Sequence, residues 1–374
     1  MKIAVFFTFD YSLNTWFNSG TLHRELKIYQ NLSNKFGIKF LLITYGNNTE
    51  IKLLEQFPEF EIIPIYSHLK YNSNKILRFI KSFFIPFFLK NKLNSVDIFH
   101  QHQLLGVWVP LILKFLIKKP VLVRTGYDMS LFAKLENKPL HIRIFYEFLT
   151  FVTIKSCDLL TVASKSDFSS FINKMNSSKL RIRSNWVEAN NNFIDINNRI
   201  DNKILLVGRV ENQKFFEYII DSFSNSRGKL IFDLVGEGSS MHGLAELAEN
   251  KNVDLNFFGK LNHERLQNLY SEYKFFMSSS IFEGNPKTIL EAMANGCVVF
   301  ASNIENHKEI INNMENGCIF DLDKKELKNL FDKISKNKEL TTAISRNAIK
   351  SILEKYSIDV LVDEMQKDYK FIVN

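Results

Sequence analysis

Two α/β domains, each built on a parallel sheet, are the fold class this chain predicts, and three observations carry the prediction. At 374 residues it is longer than one hydrophobic core usually organises, so two units of about 170 to 190 residues are expected. Short apolar runs alternate with amphipathic helical patterns through both halves, as βαβ units require. Between the halves, residues 190–202 (NNNFIDINNRIDN) form a polar, asparagine-rich stretch that reads as a linker.

In order along the chain, strands are expected at Lys2–Thr8, Lys39–Thr44, Glu61–Ile65, Ile98–Gln101, Val121–Arg124 and Leu159–Ala163. After the linker they are expected near Ile204–Val207, Leu230–Val235, Leu255–Phe258, Phe275–Ser278, Val298–Ala301 and Cys318–Phe320. A last helix runs over about Ile358–Ile372. The domains are therefore placed at 1–190 and 203–355, with 356–374 as a closing helix. MKIAVFFTFD is too short and too plain for a secretory signal and reads as the first strand. No apolar stretch of about 18 residues occurs, so no membrane-spanning helix is expected.

Composition is that of a globular protein, 45% hydrophobic and 24% charged. Cys157, Cys297 and Cys318 lie in apolar surroundings without metal-like spacing, and an odd number argues against a disulfide framework. A reducing cytoplasm fits this usage. The net charge of +8 is uneven: residues 1–190 carry 25 Lys+Arg against 13 Asp+Glu, and residues 191–374 carry 23 against 27. A basic first half suits an anionic membrane face or a phosphate-bearing acceptor. No RNA-stacking motif accompanies it, so nucleic acid is not an expected partner.

The most informative stretch is Glu283-Gly284-Asn285-Pro286-Lys287-Thr288-Ile289-Leu290-Glu291, in which two carboxylates straddle a loop and the opening of a helix. Asn285 suits an N-cap, Pro286 the first helical position and Asn295-Gly296 the stop. The N–H groups of Lys287, Thr288 and Ile289 would then be unpaired in the first turn, at the end of the helix that favours phosphate. Glu283 and Glu291 are placed to accept hydroxyls beside that anion. Gly208-Arg209 closes a strand and Lys214 follows, so two cations converge on the same place, Arg as a planar fork and Lys as a point charge.

With its flanking strands, the nonapeptide resembles the E-x7-E signature of the retaining family 4 glycosyltransferases, glycosyl transferases group 1. LLVGRVENQK at Leu205–Lys214 resembles that family's donor-phosphate loop, and LVGEGSSMHGLAELA, NFFGKL and NMENGCIF resemble the segments that follow. The similarity covers about residues 203–320 well and the first half loosely. It implies the GT-B arrangement, two Rossmann-like domains facing each other across a cleft, with the first binding acceptor, the second binding the nucleotide sugar, and the closing helix returning to the first.

The resemblance also implies residue roles. Arg209 and Lys214 hold the donor diphosphate and stabilise the leaving group, Glu283 contacts the donor sugar and Glu291 the ribose. Glu283, Arg209 and Lys214 are thus the catalytic candidates, and Gly208, Gly284, Asn285, Lys287, Thr288, Ile289 and Glu291 complete the donor site. In the first half, Asn18-Ser19-Gly20-Thr21 resembles the glycine loop near the donor phosphates, with Ser19 in place of one glycine; Gly20 is the candidate. Phe215 stands where the family usually has glycine after the lysine.

Thr125-Gly126 occupies the place where many relatives have a histidine, so no histidine base is assigned. Arg124, Tyr127 and Asp128 are candidate sugar or acceptor contacts. His102, in the His100-Gln101-His102 that closes a strand, is either such a contact or a hydrogen-bonded structural residue. Asp321-Leu322-Asp323 has the form of a metal motif, but Asp323 with Glu326 reads as a capping box for a helix over Lys324–Ile334. Neither a cofactor nor a metal is expected.

In residues 74–92, polar positions 75, 78, 81 and 82 oppose Ile76, Leu77, Phe79, Ile80, Phe83, Phe84 and Phe87, with Pro86 interrupting. Such a basic helix either lies in a membrane interface or packs on the first sheet. The reading is a retaining, hexosyltransferase-type glycosyltransferase. It would use a nucleoside diphosphate sugar and a glycan or lipid-linked acceptor in cell-surface polysaccharide synthesis, cytoplasmic and peripheral to the inner face of the plasma membrane. A sugar-nucleotide epimerase and a non-catalytic nucleotide-sugar or membrane-binding protein are the alternatives.

Overall fold

A computed structural model describes residues 1–188, 195–323 and 326–373. The chain divides into two compact units, residues 1–184 with the chain from Leu361 on, and residues 185–360.

The first unit holds β1 Lys2–Phe6, β2 Lys39–Thr44, β3 Phe60–Pro64, β4 Ile98–Gln101, β5 Val121–Thr125, β6 Leu159–Val162 and β7 Leu180–Ile182. They form one parallel sheet in the order β3-β2-β1-β4-β5-β6-β7, with Ile3 opposite both Phe40 and Ile98. Both faces are covered, which is why these strands read as continuous apolar runs rather than alternating ones. Connections step one way from β1 to β3 and the other way from β4 to β7. Right-handed crossovers then put the helix Leu22–Phe36 on one face and the helices Lys75–Ser82, Ile85–Leu89, Trp108–Ile117 and Leu140–Ser156 on the other. Phe99 joins Trp108, Leu89 and Leu149 on the second face. His100, one residue on, meets Tyr29 and Tyr369 on the first, as a period of two dictates.

The second unit holds β8 Ile200–Val207, β9 Ile231–Val235, β10 Asp254–Gly259, β11 Tyr273–Ser278, β12 Val298–Ser302 and β13 Cys318–Phe320, all parallel, in the order β10-β9-β8-β11-β12-β13. Phe275 packs with Phe223, Phe300 and Phe331 on one face of the sheet. Phe276 packs with Tyr270, Leu290 and Met293 on the other. The order reverses between β8 and β11, and loops after these two strands emerge at the switch point, where open α/β sheets collect ligands.

Several expectations are corrected. The linker reading fails over residues 195–202: Ile196–Asn198 is a 3-10 turn whose Ile196 enters the core, and β8 begins at Ile200, paired with Tyr273. Residues 190–194 of that stretch lie outside the described residues. The short edge strand β7 was not expected, its three residues giving too little pattern. The capping box at Asp323 is absent. Glu326 instead accepts the backbone N–H of Asp321 at 2.9 Å and the helix starts at Leu327; residues 324 and 325 lie outside the described residues. Among the described residues no helix is long and apolar enough to cross a membrane.

Candidate functional site

The loop after β8 and the loop after β11 are sewn together. Ser279 Oγ lies 2.9 Å from Lys214 O and 2.8 Å from Phe215 O, Gln213 Nε2 donates to Phe282 O at 2.8 Å, and Ile281 N donates to Gln213 O at 3.0 Å. This seam fixes the direction of Lys214. Its Nζ meets Glu283 Oε1 at 2.5 Å, and Ser280 Oγ donates to the same oxygen at 2.8 Å. Arg209 is exposed beside them, its Nη2 3.4 Å from Gln213 Oε1.

Glycines set the backbone of this corner. A Cβ on Gly208 would stand 2.8 Å from Lys214 Cε, so the lysine side chain runs directly over it. A Cβ on Gly236, where φ is +145, would stand 1.9 Å from Gly208 O, and one on Gly238 would stand 2.2 Å from Val210 O. The loops after β8 and β9 therefore approach backbone to backbone, joined by Val210 N to Glu237 O and Ser240 N to Val210 O, each 3.0 Å. Phe215 takes the left-handed conformation, φ 48 and ψ 43, that glycine adopts without strain and other residues at about 1–2 kcal/mol. The two carbonyls held by Ser279 keep it there.

The helix Lys287–Ala294 follows the loop, but its cap is Pro286 rather than Asn285. Asn285 instead accepts from Asn185 N at 3.0 Å, and its carbonyl accepts from Asn185 Nδ2 at 2.8 Å. The Ile289 N–H, expected unpaired, donates to Pro286 O at 3.2 Å. Lys287 Nζ lies 5.0 Å over the Trp186 ring. Gly284 O accepts from Asn306 Nδ2, and Thr288 opens the helix beside Lys287. Glu291 faces inward, 5% exposed, with Tyr270 Oη donating to its Oε2 at 3.3 Å.

Sequence reasoning did not single out Gln213, Ser279, Ser280, Gly236, Gly238 or His307. The GEG run and the SSS run were their only signals. His307 is fully buried, with Nδ1 2.9 Å from Ser302 O and Nε2 without a hydrogen-bond partner. Burial lowers its pKa to about 4; the Ser302 carbonyl and the Glu283 charge oppose this shift, and Lys214 adds to it.

The remaining candidates belong to the first unit. Gly20 sits at φ +70 between the helices Leu13–Asn18 and Leu22–Phe36. His102 is the hydrogen-bonded alternative: its Nδ1 meets Tyr29 Oη at 2.9 Å and its Nε2 lies 3.6 Å from Glu25. Asp128, expected as an acceptor contact, is buried as the cap of the helix Met129–Leu135, accepting from Ser130 N and Leu131 N at 3.0 and 3.1 Å. Tyr127 stays exposed, its ring 4.6 Å from that of Phe132, and Arg124 is half-buried on β5. Among the described residues no group of three or more His, Cys, Asp or Glu is arranged to hold a metal ion.

Two parallel-sheet Rossmann-like units of this kind define the GT-B class. HepE of Anabaena, solved in complex with UDP, superposes over 99% of this chain and 100% of its own with a TM-score of 0.75 at 14% identity. Residues 189–351, which contain the loops after β8 and β11, match the family model for glycosyl transferases group 1. An uncharacterized glycosyltransferase of Methanocaldococcus jannaschii is 26% identical over 303 residues, 74% of this chain and 76% of that protein. A poly(ribitol-phosphate) alpha-N-acetylglucosaminyltransferase of Staphylococcus aureus is 28% identical over 137 residues, 36% of this chain and 27% of that protein.

Proposed function

We propose that the chain is a retaining glycosyltransferase of hexosyltransferase type. It moves a sugar from a nucleoside diphosphate sugar to a hydroxyl of a cell-surface or lipid-linked glycan. The observation that carries this reading is the Lys214–Glu283 pair at the switch point, with Arg209 beside it. The family match over 189–351 and the relatives' names support it. An incoming diphosphate competes with Glu283 for Lys214 and takes the Arg209 fork. Positive charge at the leaving group then comes from these two side chains, with no divalent ion required. As the glycosidic bond breaks, the diphosphate gains charge and the sugar ring becomes electron-poor, so contacts made there strengthen in the transition state. Glu283, released from Lys214, accepts sugar hydroxyls, and Glu291 accepts those of the ribose.

UDP is the first nucleotide to try, because HepE was solved with it. The polymer acceptor named for the Staphylococcus aureus relative points to a polyol or sugar hydroxyl on a surface polymer. The three free, buried thiols fit a reducing compartment. Steady-state kinetics with a nucleotide-sugar donor test the roles. Arg209→Ala is expected to lower kcat, at least tenfold for one lost charge-assisted contact, and Glu291→Ala to raise the donor KM with a smaller effect on kcat. Wild-type kinetics in both variants would overturn the assignment.

A further inference from the structure

The helices on one face of the first unit's sheet are apolar on both sides. Inward, Phe79 packs on Phe9, Trp108 and Phe145, and Ile85 and Leu89 enter the core. Outward, Ile76 is 69% exposed, Ile80 50%, Phe84 65% and Phe87 54%, so packing on the first sheet leaves a second apolar side of the same helices uncovered. Pro86 breaks the segment into Lys75–Ser82 and Ile85–Leu89 and lets both halves lie along the surface.

The neighbouring helix Leu140–Ser156 adds a second stripe that the sequence reading did not find. Leu140, Ile144, Phe148 and Phe151 recur at helical spacing and are 70%, 56%, 62% and 59% exposed. Phe145, on the same helix, touches Phe79 beneath the surface, which sets the two helices side by side. Phe115, at the end of Trp108–Ile117 on the same face of the sheet, is 74% exposed. Monomeric proteins rarely leave so much apolar side chain in water without a use.

The charges around this face select its occupant. Between Glu61 and Asp97 there are six Lys or Arg and no Asp or Glu. Lys75, Lys81, Lys90 and Lys92 are exposed among these residues, and Lys155 flanks the other stripe beside Phe151. A second copy of the chain would set this basic rim against itself. An anionic lipid surface meets both features, headgroups on the lysines and acyl chains on the phenylalanines.

We propose that this apolar, basic-rimmed face docks in the interface of a bilayer bearing anionic lipid, without crossing it. The inference stands on the first unit alone and does not depend on the donor site. Arg78 is not part of the rim: it is ion-paired with Asp10 at 2.5 Å and holds the loop carbonyls of Asn72 and Ser73.

The test is cosedimentation of the full chain with vesicles of phosphatidylcholine, with and without phosphatidylglycerol. Binding is expected only with the anionic lipid, and salt weakens it. Lys75→Glu/Lys81→Glu lowers the partition coefficient by about fivefold per lysine, and Phe84→Ser/Phe148→Ser lowers it with the melting temperature unchanged. No pelleting with the anionic vesicles, or wild-type pelleting by both variants, overturns the proposal. So does a dimer in sedimentation velocity that Phe84→Ser/Phe148→Ser dissolves, because that result assigns the face to a second copy.

Discussion

Lys214 crosses Gly208 and reaches Glu283, whose carboxylate is also held by Ser280, so one glycine, one lysine and one carboxylate define the corner we propose for a diphosphate. His307 lies next to it with a depressed pKa, and the sign of its effect follows. The folded value of about 4 is below the ordinary 6.5, so the unfolded chain takes up the proton first. The stability contributed by the neutral ring is complete above the unfolded pKa and is lost as pH falls towards 4, about 3 kcal/mol in all and about 2 kcal/mol by pH 5. Burial of His100 acts in the same direction, so the readout is a comparison. Urea unfolding near neutral pH and near pH 5 should show a smaller loss in His307→Asn than in the wild type; an equal loss would show that His307 is not the group responsible. At this scale the sequence displayed Lys214, Arg209 and Glu283, since each follows a legible strand. It hid Gln213 and Ser279, because their seam exists only once β8 and β11 are neighbours, and β9 and β10 lie between them in sequence.

The elements were legible wherever a strand is buried on both faces, because KFLLIT and YKFFMS can hardly be read otherwise. Two helix starts were not: Asn285 and Asp323 both have capping chemistry, but Asn185 claims the first, and Glu326 bonds to Asp321 N instead of forming the second's box. Tertiary partners override local preference at such positions. The final helix, Ile358–Val373, begins where the sequence places it, and tertiary partners hold it. Within the first unit Asp368 receives two bonds from Arg183, at 2.6 and 2.7 Å, and Tyr369 Oη meets His100 Nδ1 at 2.8 Å. Burial raises the Asp368 carboxyl pKa despite the arginine, so the pair itself is costly to bury, yet breaking it leaves Arg183 only the more exposed Glu364, 3.5 Å away. Asp368→Ala should therefore cost about 3 kcal/mol by urea unfolding, and a loss under about 1 kcal/mol, as for exposed pairs, would contradict this.

Across the whole molecule the charge is divided against the chemistry. The half that carries Arg209 and Lys214 has 23 Lys+Arg against 27 Asp+Glu, so the diphosphate affinity we propose would rest on two placed side chains and not on a general field. The basic half, with 25 against 13, carries the exposed aromatic face instead. The most direct measurement is a calorimetric titration of the chain and of Arg209→Ala/Lys214→Ala with UDP, GDP, ADP and CMP. Selective binding of one nucleoside diphosphate, weakened at least tenfold in the double variant, is expected from the loss of contacts of about 1.5–3 kcal/mol each. Binding of none of them, or equal binding by the variant, would contradict a nucleotide-sugar site at this corner.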